Sequence, residues 1–209
     1  MSAPESPRWL GWLRRLEAIA QTGLHHAAGP FDVQRYQELR SLAAEMIAQQ
    51  LGGEEAQVQA MLLTGSGYAT PKVDLRGVVF RDGALLLVKE RADGLWTLPG
   101  GWADVNESPG VGAAREVLEE SGFVVRPTKL LACYDKLRHA HPPELHHAYK
   151  LFFLCELEGG APTPSLETEE VGFFSEGALP ALSLPRNTPE QLARMFEHLR
   201  HPQWPTDFD

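Results

Sequence analysis

Cysteine is scarce in this sequence: Cys133 and Cys155 are the only two in 209 residues. That is too few for a disulfide framework, and both lie in apolar stretches, so free thiols and a reducing, cytoplasmic setting are expected. Long apolar runs are missing as well. None approaches the roughly 18 residues that cross a bilayer, the mean hydropathy is −0.25, and Arg14 and Arg15 interrupt the N-terminal stretch where a signal peptide carries its apolar core. A membrane partner is therefore not expected. No block of basic residues occurs either. Lysine and arginine number 19 against 28 aspartate and glutamate, a net charge of −9, which disfavours long nucleic acid as a partner. A small anionic substrate remains compatible with this charge if a divalent metal offsets the acidic field locally. Internal repeats and low-complexity tracts are absent.

What remains is the composition of a folded chain, 43% hydrophobic and 22% charged, long enough for one ordinary domain with a small companion. The first part reads as helical. Trp9, Leu13, Leu16 and Ala20 recur at three- and four-residue spacing, with Gly23 as the expected stop. Asp32 suits the N-cap of a second helix whose stripe is Val33, Tyr36, Leu39, Ala43, Met46 and Ile47, ending before Gly52 and Gly53. A short third helix is expected over residues 54–63. Residues 64–71 have linker composition, which places a domain boundary between 66 and 67.

Beyond the linker the period changes. Two β-branched runs, residues 73–81 and 84–90, flank Asp82-Gly83, a strong hairpin signal. Ser108 and Pro109 open a helix that Gly122 should end near Ser121. Further strands are expected at 123–126, 129–134, 149–157 and 170–175, and Thr188-Pro189-Glu190-Gln191 is a capping box for a last helix. The fold class expected is α/β: an α/β/α sandwich with a mixed sheet, preceded by a small all-α N-terminal domain.

The chemistry concentrates in residues 101–123. Glu116, Glu119 and Glu120 stand at i, i+3 and i+4 on the predicted helix, which places three carboxylates close together. Such like charges repel unless something positive lies among them, and hard oxygen donors at this density suit Mg²⁺ or Mn²⁺ sharing a shell with phosphate. Val111, Ala114, Val117 and Leu118 form the apolar set expected to anchor the helix. Gly110 and Gly112 weaken it by about 1 kcal/mol each relative to alanine, so close packing is the expected reason for them.

Gly101, Glu107, Arg115, Glu116, Val117, Glu119, Glu120, Gly122 and Phe123 fit every fixed position of the Nudix box. At about 7% abundance per residue, such a match arises by chance roughly once in a million chains. The sequence thus resembles the Nudix hydrolases, and the likeness runs over nearly the whole chain to a bacterial subgroup with an N-terminal helical domain. That subgroup includes CDP-choline pyrophosphatases and ADP-ribose pyrophosphatases. The resemblance implies that Glu116, Glu119 and Glu120 bind Mg²⁺, with the Gly100 carbonyl as a further ligand, and that Arg115 pairs with Glu107 to orient them. It also implies attack of an activated water on one phosphorus, with a box glutamate, or Glu167, Glu169 or Glu170, as base. Arg76, Lys89, Trp102 and Lys136 are the expected substrate-binding side chains, Trp102 by stacking on a base. The helical domain implies a homodimer, with Trp9, Leu13, Tyr36 and Leu39 either facing a partner or closing a core of their own. Two other activities fit the fold: nucleotide sensing without cleavage, and pyrophosphohydrolysis at RNA 5′ ends.

Four histidines, His139, His141, His146 and His147, surround Pro142 and Pro143. They lack the cysteine or carboxylate partners and regular spacing of a zinc site, and a loop at the mouth of the site is expected there.

Overall fold

The computed structural model describes residues 7–51, 65–144 and 146–209. The chain divides into two compact units, one that ends at Pro71 and takes in the short segment at Pro143 and His146, the other made of Lys72–Pro142 and His147–Asp209.

The first unit is built on α1 (Arg8–His26) and α2 (Pro30–Leu51). Leu13, Ala44, Ile47 and Ala48 form its core, with Trp9 packed against them. Arg40 reaches Glu17 across the helix pair at 3.0 Å, and both side chains are largely buried. Gly23 does not stop α1, which continues to His26. A Cβ at Gly23 would lie 2.4 Å from the Tyr36 ring, so the glycine serves close helix packing. Asp32 lies within the first turn of α2, where it pairs with Arg35 at 2.8 Å. Trp9 and Leu13 belong to the internal core, whereas a second apolar row on each helix is open: Trp12, Leu16 and Ile19 on α1, and Leu39, Leu42 and Met46 on α2. The third helix expected at 54–63 lies outside the described residues.

The second unit is a mixed sheet between two helices, as expected. Its strands are β1 (Lys72–Arg81), β2 (Ala84–Glu90), β3 (Trp96–Thr97), β4 (Phe123–Asp135), β5 (Ala148–Gly160), β6 (Thr168–Phe174) and β7 (Asp207–Phe208). The order is β3-β2-β1-β5-β4-β7, with β6 paired to β2. Asp82 and Gly83 take φ of 52° and 76°, the double positive φ of a type I′ turn. Past this turn, residues 98–103 lie along β1: Leu75 N–H donates to Gly101 O at 2.7 Å and Gly77 N–H to Pro99 O at 2.9 Å. β1 and β5 are parallel from Lys72↔Ala148 to Val79↔Cys155. The two strands expected at 123–126 and 129–134 form one, because register shifts around Pro127 absorb the proline without ending the strand.

Helix α3 (Pro109–Ser121) covers one face of the sheet, with Val117 against Val79, Leu86, Phe123, Val125 and Cys155. Helix α4 (Pro189–Arg200) covers the other, setting Leu192, Met195 and Phe196 on Val78, Leu85, Leu131 and Phe152. Gly77 lets α3 come close, since a Cβ there would lie 2.2 Å from Val117 Cγ2. The apolar face expected for α3 is rotated. Val111 and Leu118 are exposed, while Ala113, Val117 and Glu120 point inward. Gly112 is a close-packing glycine as expected, its Cβ position 2.6 Å from Leu75 Cδ1, but Gly110 meets nothing nearer than 3.7 Å. The capping box at Thr188 and Gln191 is formed in both directions. Gly122 ends α3 with φ of 76° and donates its N–H to Leu118 O. Cys133 and Cys155 are free thiols, the first half-buried and the second buried.

Candidate active site

Arg115 is the centre of the box. Its guanidinium lies 3.1 Å from Glu107, 2.9 Å from Glu116, 2.9 Å from Glu119 and 3.5 Å from Asp104. Hydrogen bonding to Glu107, and then to Glu116, raises its pKa above the ordinary arginine value. One positive charge among four carboxylates leaves a local excess of three negative charges, which a divalent ion complements. The side chains descend from solvent to core: Glu119 is 58% exposed and Glu116 13%, while Glu120 is 5% exposed and accepts from Gly100 N–H at 2.8 Å. Burial pushes Glu120 up to about 8 although Arg76 opposes it, and burial raises Glu116 against the pull of Arg115.

Two glycines make the room. Gly100 has φ of +146°, and a Cβ there would sit 2.0 Å from Leu75 O. A Cβ at Gly101 would fall 3.1 Å from both Glu116 oxygens, so the glycine leaves space beside that carboxylate. Hard oxygen donors, excess negative charge and this space fit Mg²⁺ or Mn²⁺. Among the described residues, no three acidic, histidine or cysteine side chains already converge on one point; an ion held by Glu116 and Glu119 would have to share them with Arg115 or replace it.

The other expected site residues fall in three places. Lys89 sits on β2 with Glu170 at 2.7 Å and Glu169 at 3.7 Å, both carboxylates exposed. The strand that carries them joins α3 through Thr168 Oγ1, which donates to Glu120 O at 2.7 Å. Trp102 is 45% exposed, bridged in register to Asp74, with Lys72 Nζ over its ring at 5.2 Å. Arg76 and Lys136 are buried. Arg76 Nε donates to Asp74 at 2.8 Å and its Nη1 to Leu98 O at 3.0 Å. Of the histidines, His139 faces Asp209, His147 faces Asp135, and His141 is buried between Leu184 O and Gln191. Burial pushes His141 down to about 4.

Several further residues complete the surroundings. Lys150, wholly buried, pairs with Asp74 from the neighbouring strand. Burial alone would raise Asp74, but Arg76 and Lys150 hold it below its usual value. Glu90 is buried against Arg186 Nε at 3.0 Å, and burial raises its pKa although Arg186 and Arg76 oppose this. Charge at Glu90 reaches Glu120 in turn. The alternation of β1 marks Asp74, Arg76 and Val78 as one face, yet only the long-range pairing shows that it is the α4 face.

The family model described as a NUDIX domain matches residues 71–199, and one described as a UDP-X-like, N-terminal oligomerisation domain matches residues 7–62. A Bacillus subtilis protein named "Putative ADP-ribose pyrophosphatase YjhB" is 44% identical over 97% of both chains. A crystal structure of an ADP-ribose pyrophosphatase from Streptococcus suis is 45% identical, covers 67% of this chain and 100% of its own, and superposes with a TM-score of 0.61. A crystal structure titled as a UDP-X diphosphatase is 33% identical over 97% of this chain and 98% of its own, with a TM-score of 0.63. With an intact box folded around Arg115 and a domain match across most of its length, this chain belongs to the Nudix hydrolase family.

Proposed function

We propose that the protein is a Mg²⁺-dependent pyrophosphatase, with Mn²⁺ able to substitute, that cleaves a nucleoside diphosphate linked to a second moiety. The products are a nucleoside monophosphate and the phosphorylated moiety. The observation that carries the reading is the grouping of Glu107, Glu116 and Glu119 on Arg115, with Glu120 fixed to Gly100 N–H beside them. ADP-ribose and UDP-linked compounds lead the substrate class because the full-length relatives carry those names, and CDP-choline belongs to the same class.

Glu116, Glu119 and Glu120 would hold the ion. When bound, a divalent ion lowers the pKa of water and neutralises charge on the departing phosphate. Glu107 and Arg115 orient the ligand carboxylates. Removal of the water proton falls to a carboxylate that solvent reaches: Glu119, Glu169 and Glu170 are exposed, whereas Glu120 is buried and already bonded. Trp102, 45% exposed with Lys72 over its ring, is the aromatic side chain that would stack on a base.

The helical unit supports a homodimer. Trp12, Leu16 and Ile19 follow i, i+4, i+7 and Leu39, Leu42 and Met46 follow i, i+3, i+7, all exposed. Each row is the apolar edge of a helix whose other edge is already buried, and a second copy of this chain supplies matching rows. Two free thiols fit a cytoplasmic setting, and among the described residues no helix is long and apolar enough to cross a membrane.

The test is hydrolysis by purified protein with Mg²⁺ of ADP-ribose, a UDP-sugar, CDP-choline, NADH, a dinucleoside polyphosphate and a triphosphate-ended RNA, with products identified by mass. Cleavage of a diphosphate-linked compound to a monophosphate pair, abolished in Glu119→Gln with folding intact, is expected. Binding without turnover of any compound points to a sensor, and release of pyrophosphate from RNA alone points to 5′-end processing; either overturns the proposal.

A further inference from the structure

Residues 98–101 supply the backbone beside Glu120 and Glu116 in the proposed metal site, yet none of them lies in a helix or a strand. Their position comes from the backbone bonds that Pro99 O and Gly101 O accept from β1 and from side chains elsewhere. Arg76 Nη1 donates to Leu98 O at 3.0 Å, and Asn187 Oδ1 accepts from Leu98 N–H at 2.9 Å while also accepting from the Thr97 hydroxyl. Both backbone polar groups of Leu98 are thereby fixed by side chains. Pro99, whose ring locks φ, then separates Leu98 from Gly100, and Gly100 N–H binds Glu120. A displacement of Leu98 passes through one stiff residue to the contact that holds Glu120.

Asn187 is itself braced. It ends a strap, residues 181–187, that runs beside β3: Trp96 N–H donates to Ala181 O at 3.0 Å and Ser183 N–H to Trp96 O at 2.8 Å. Ser183 Oγ donates to Asp93 at 2.7 Å, and Arg186 joins Glu90 at 3.0 Å. Asn187 is fully buried and meets the loop through its oxygen alone. Its Nδ2 has no partner among the described residues, a destabilising arrangement that a residue kept only for packing avoids.

We infer that Asn187 is a positioning residue for the metal site: by holding Leu98 N–H it fixes Gly100 against Glu120 and so sets where that carboxylate meets the ion. This rests on the assignment of Glu116, Glu119 and Glu120 as ligands. Arg76 holds the carbonyl of the same residue, so the loop is clamped between β1 and the residue that precedes the N-cap of α4.

The experiment compares wild type, Asn187→Ala and Ser183→Ala. The last loosens the strap without touching Leu98. Amide hydrogen exchange is read by NMR in EDTA, Mn²⁺ binding by electron paramagnetic resonance, and kcat and KM with Mg²⁺. In Asn187→Ala the Leu98 and Gly100 amides should lose protection about tenfold or more while the β4–β5 amides keep theirs. Mn²⁺ binding and kcat should each fall about tenfold, the usual scale for residues that support metal ligands, with KM changed by less than about twofold. Ser183→Ala, which removes one brace but leaves the bond from Leu98 N–H to Asn187, should lose less than Asn187→Ala in all three. Unchanged Gly100 protection in Asn187→Ala, or equal losses in Ser183→Ala, overturns the inference. Should Asn187→Ala not fold, Asn187→Ser, which is too short to reach Leu98, carries the same expectations. Failure of wild type to bind Mn²⁺ or to hydrolyse any diphosphate refutes the ligand assignment instead, and the metal-free exchange data separate the two failures.

Discussion

Gly100→Ala is the substitution for which the structure yields the most definite magnitude. The added Cβ would lie 2.0 Å from Leu75 O and 2.9 Å from Arg76 Cα, whereas carbon–oxygen contacts settle near about 3.3 Å. Both obstacles are backbone, so no side chain can swing away. Residues 98–103 must instead part from β1, which breaks Leu75 N–H to Gly101 O and Gly77 N–H to Pro99 O. Two such bonds are each worth about 0.5–1.5 kcal/mol net, and a non-glycine residue held at φ of +146° costs about 1–3 kcal/mol more. The total is about 4 kcal/mol, which at about 2–4 °C per kcal/mol lowers Tm by roughly 8–16 °C. Differential scanning calorimetry reads this directly. Turnover should collapse as well, because the same shift withdraws Gly100 N–H from Glu120. Gly110→Ala is the internal control: its Cβ meets nothing closer than 3.7 Å, so it should gain about 0.5–1 kcal/mol from helix propensity. A Gly100→Ala protein with wild-type Tm and full kcat refutes the packing argument.

Three further outcomes are expected. Arg115→Ala leaves Glu107, Glu116 and Glu119 without their shared cation, so its melting temperature in EDTA should drop while the gain on adding Mg²⁺ exceeds that of wild type; an equal Mg²⁺ gain in both argues against Arg115 as the charge that stands among the ligands. Leu42→Glu and Leu16→Glu, on the open helical rows, should convert a dimer to a monomer by light scattering with helicity retained, whereas Leu13→Glu, 2% exposed, should unfold the helical pair; a wild-type monomer refutes the assignment. Asp207 is held down to about 2 by Arg194, with His198 assisting, so its folded pKa lies below the unfolded value and its contribution is present above about pH 4 and lost as pH falls toward 2. With Asp207 17% exposed, that contribution is about 1–2 kcal/mol, and Asp207→Asn should lose less stability than wild type between pH 5 and pH 2.5 in acid titration by circular dichroism.

The features legible in the sequence are those governed by rules a few residues long. Asp82-Gly83 specified its turn through φ, Thr188 and Gln191 specified a helix start through reciprocal hydrogen bonds, and Gly122 specified a helix end through a left-handed residue. The box motif brought Arg115 and its glutamates together because they lie within one helix and the loop before it. Illegible features depend on partners far along the chain. The inward face of α3 is chosen by Gly77 and Leu75 of β1, so Val111 and Leu118 point outward against their hydrophobicity. Pro127 suggested a break between strands, but pairing with β5 continues past it. Trp204 carries no motif, yet Arg194 lies over its ring at 4.4 Å and His201 stacks on it. Asn187 and Glu90 sit in segments with no distinguishing pattern, and their contacts span about 90 residues of sequence.

The separation of Leu98 from Asn187 by 89 residues bears on the life of the protein before it is finished. A nascent chain that has just left the ribosome with its box complete at Phe123 already carries Glu116, Glu119, Glu120 and Arg115. It lacks β5, β6, the strap and α4, so the loop that organises those carboxylates is held from one side only. At about 5–20 residues per second, several seconds of translation pass before the second side of the clamp exists. A chain stalled or cut before Asn187 therefore carries the acidic cluster with its loop held from the β1 side alone.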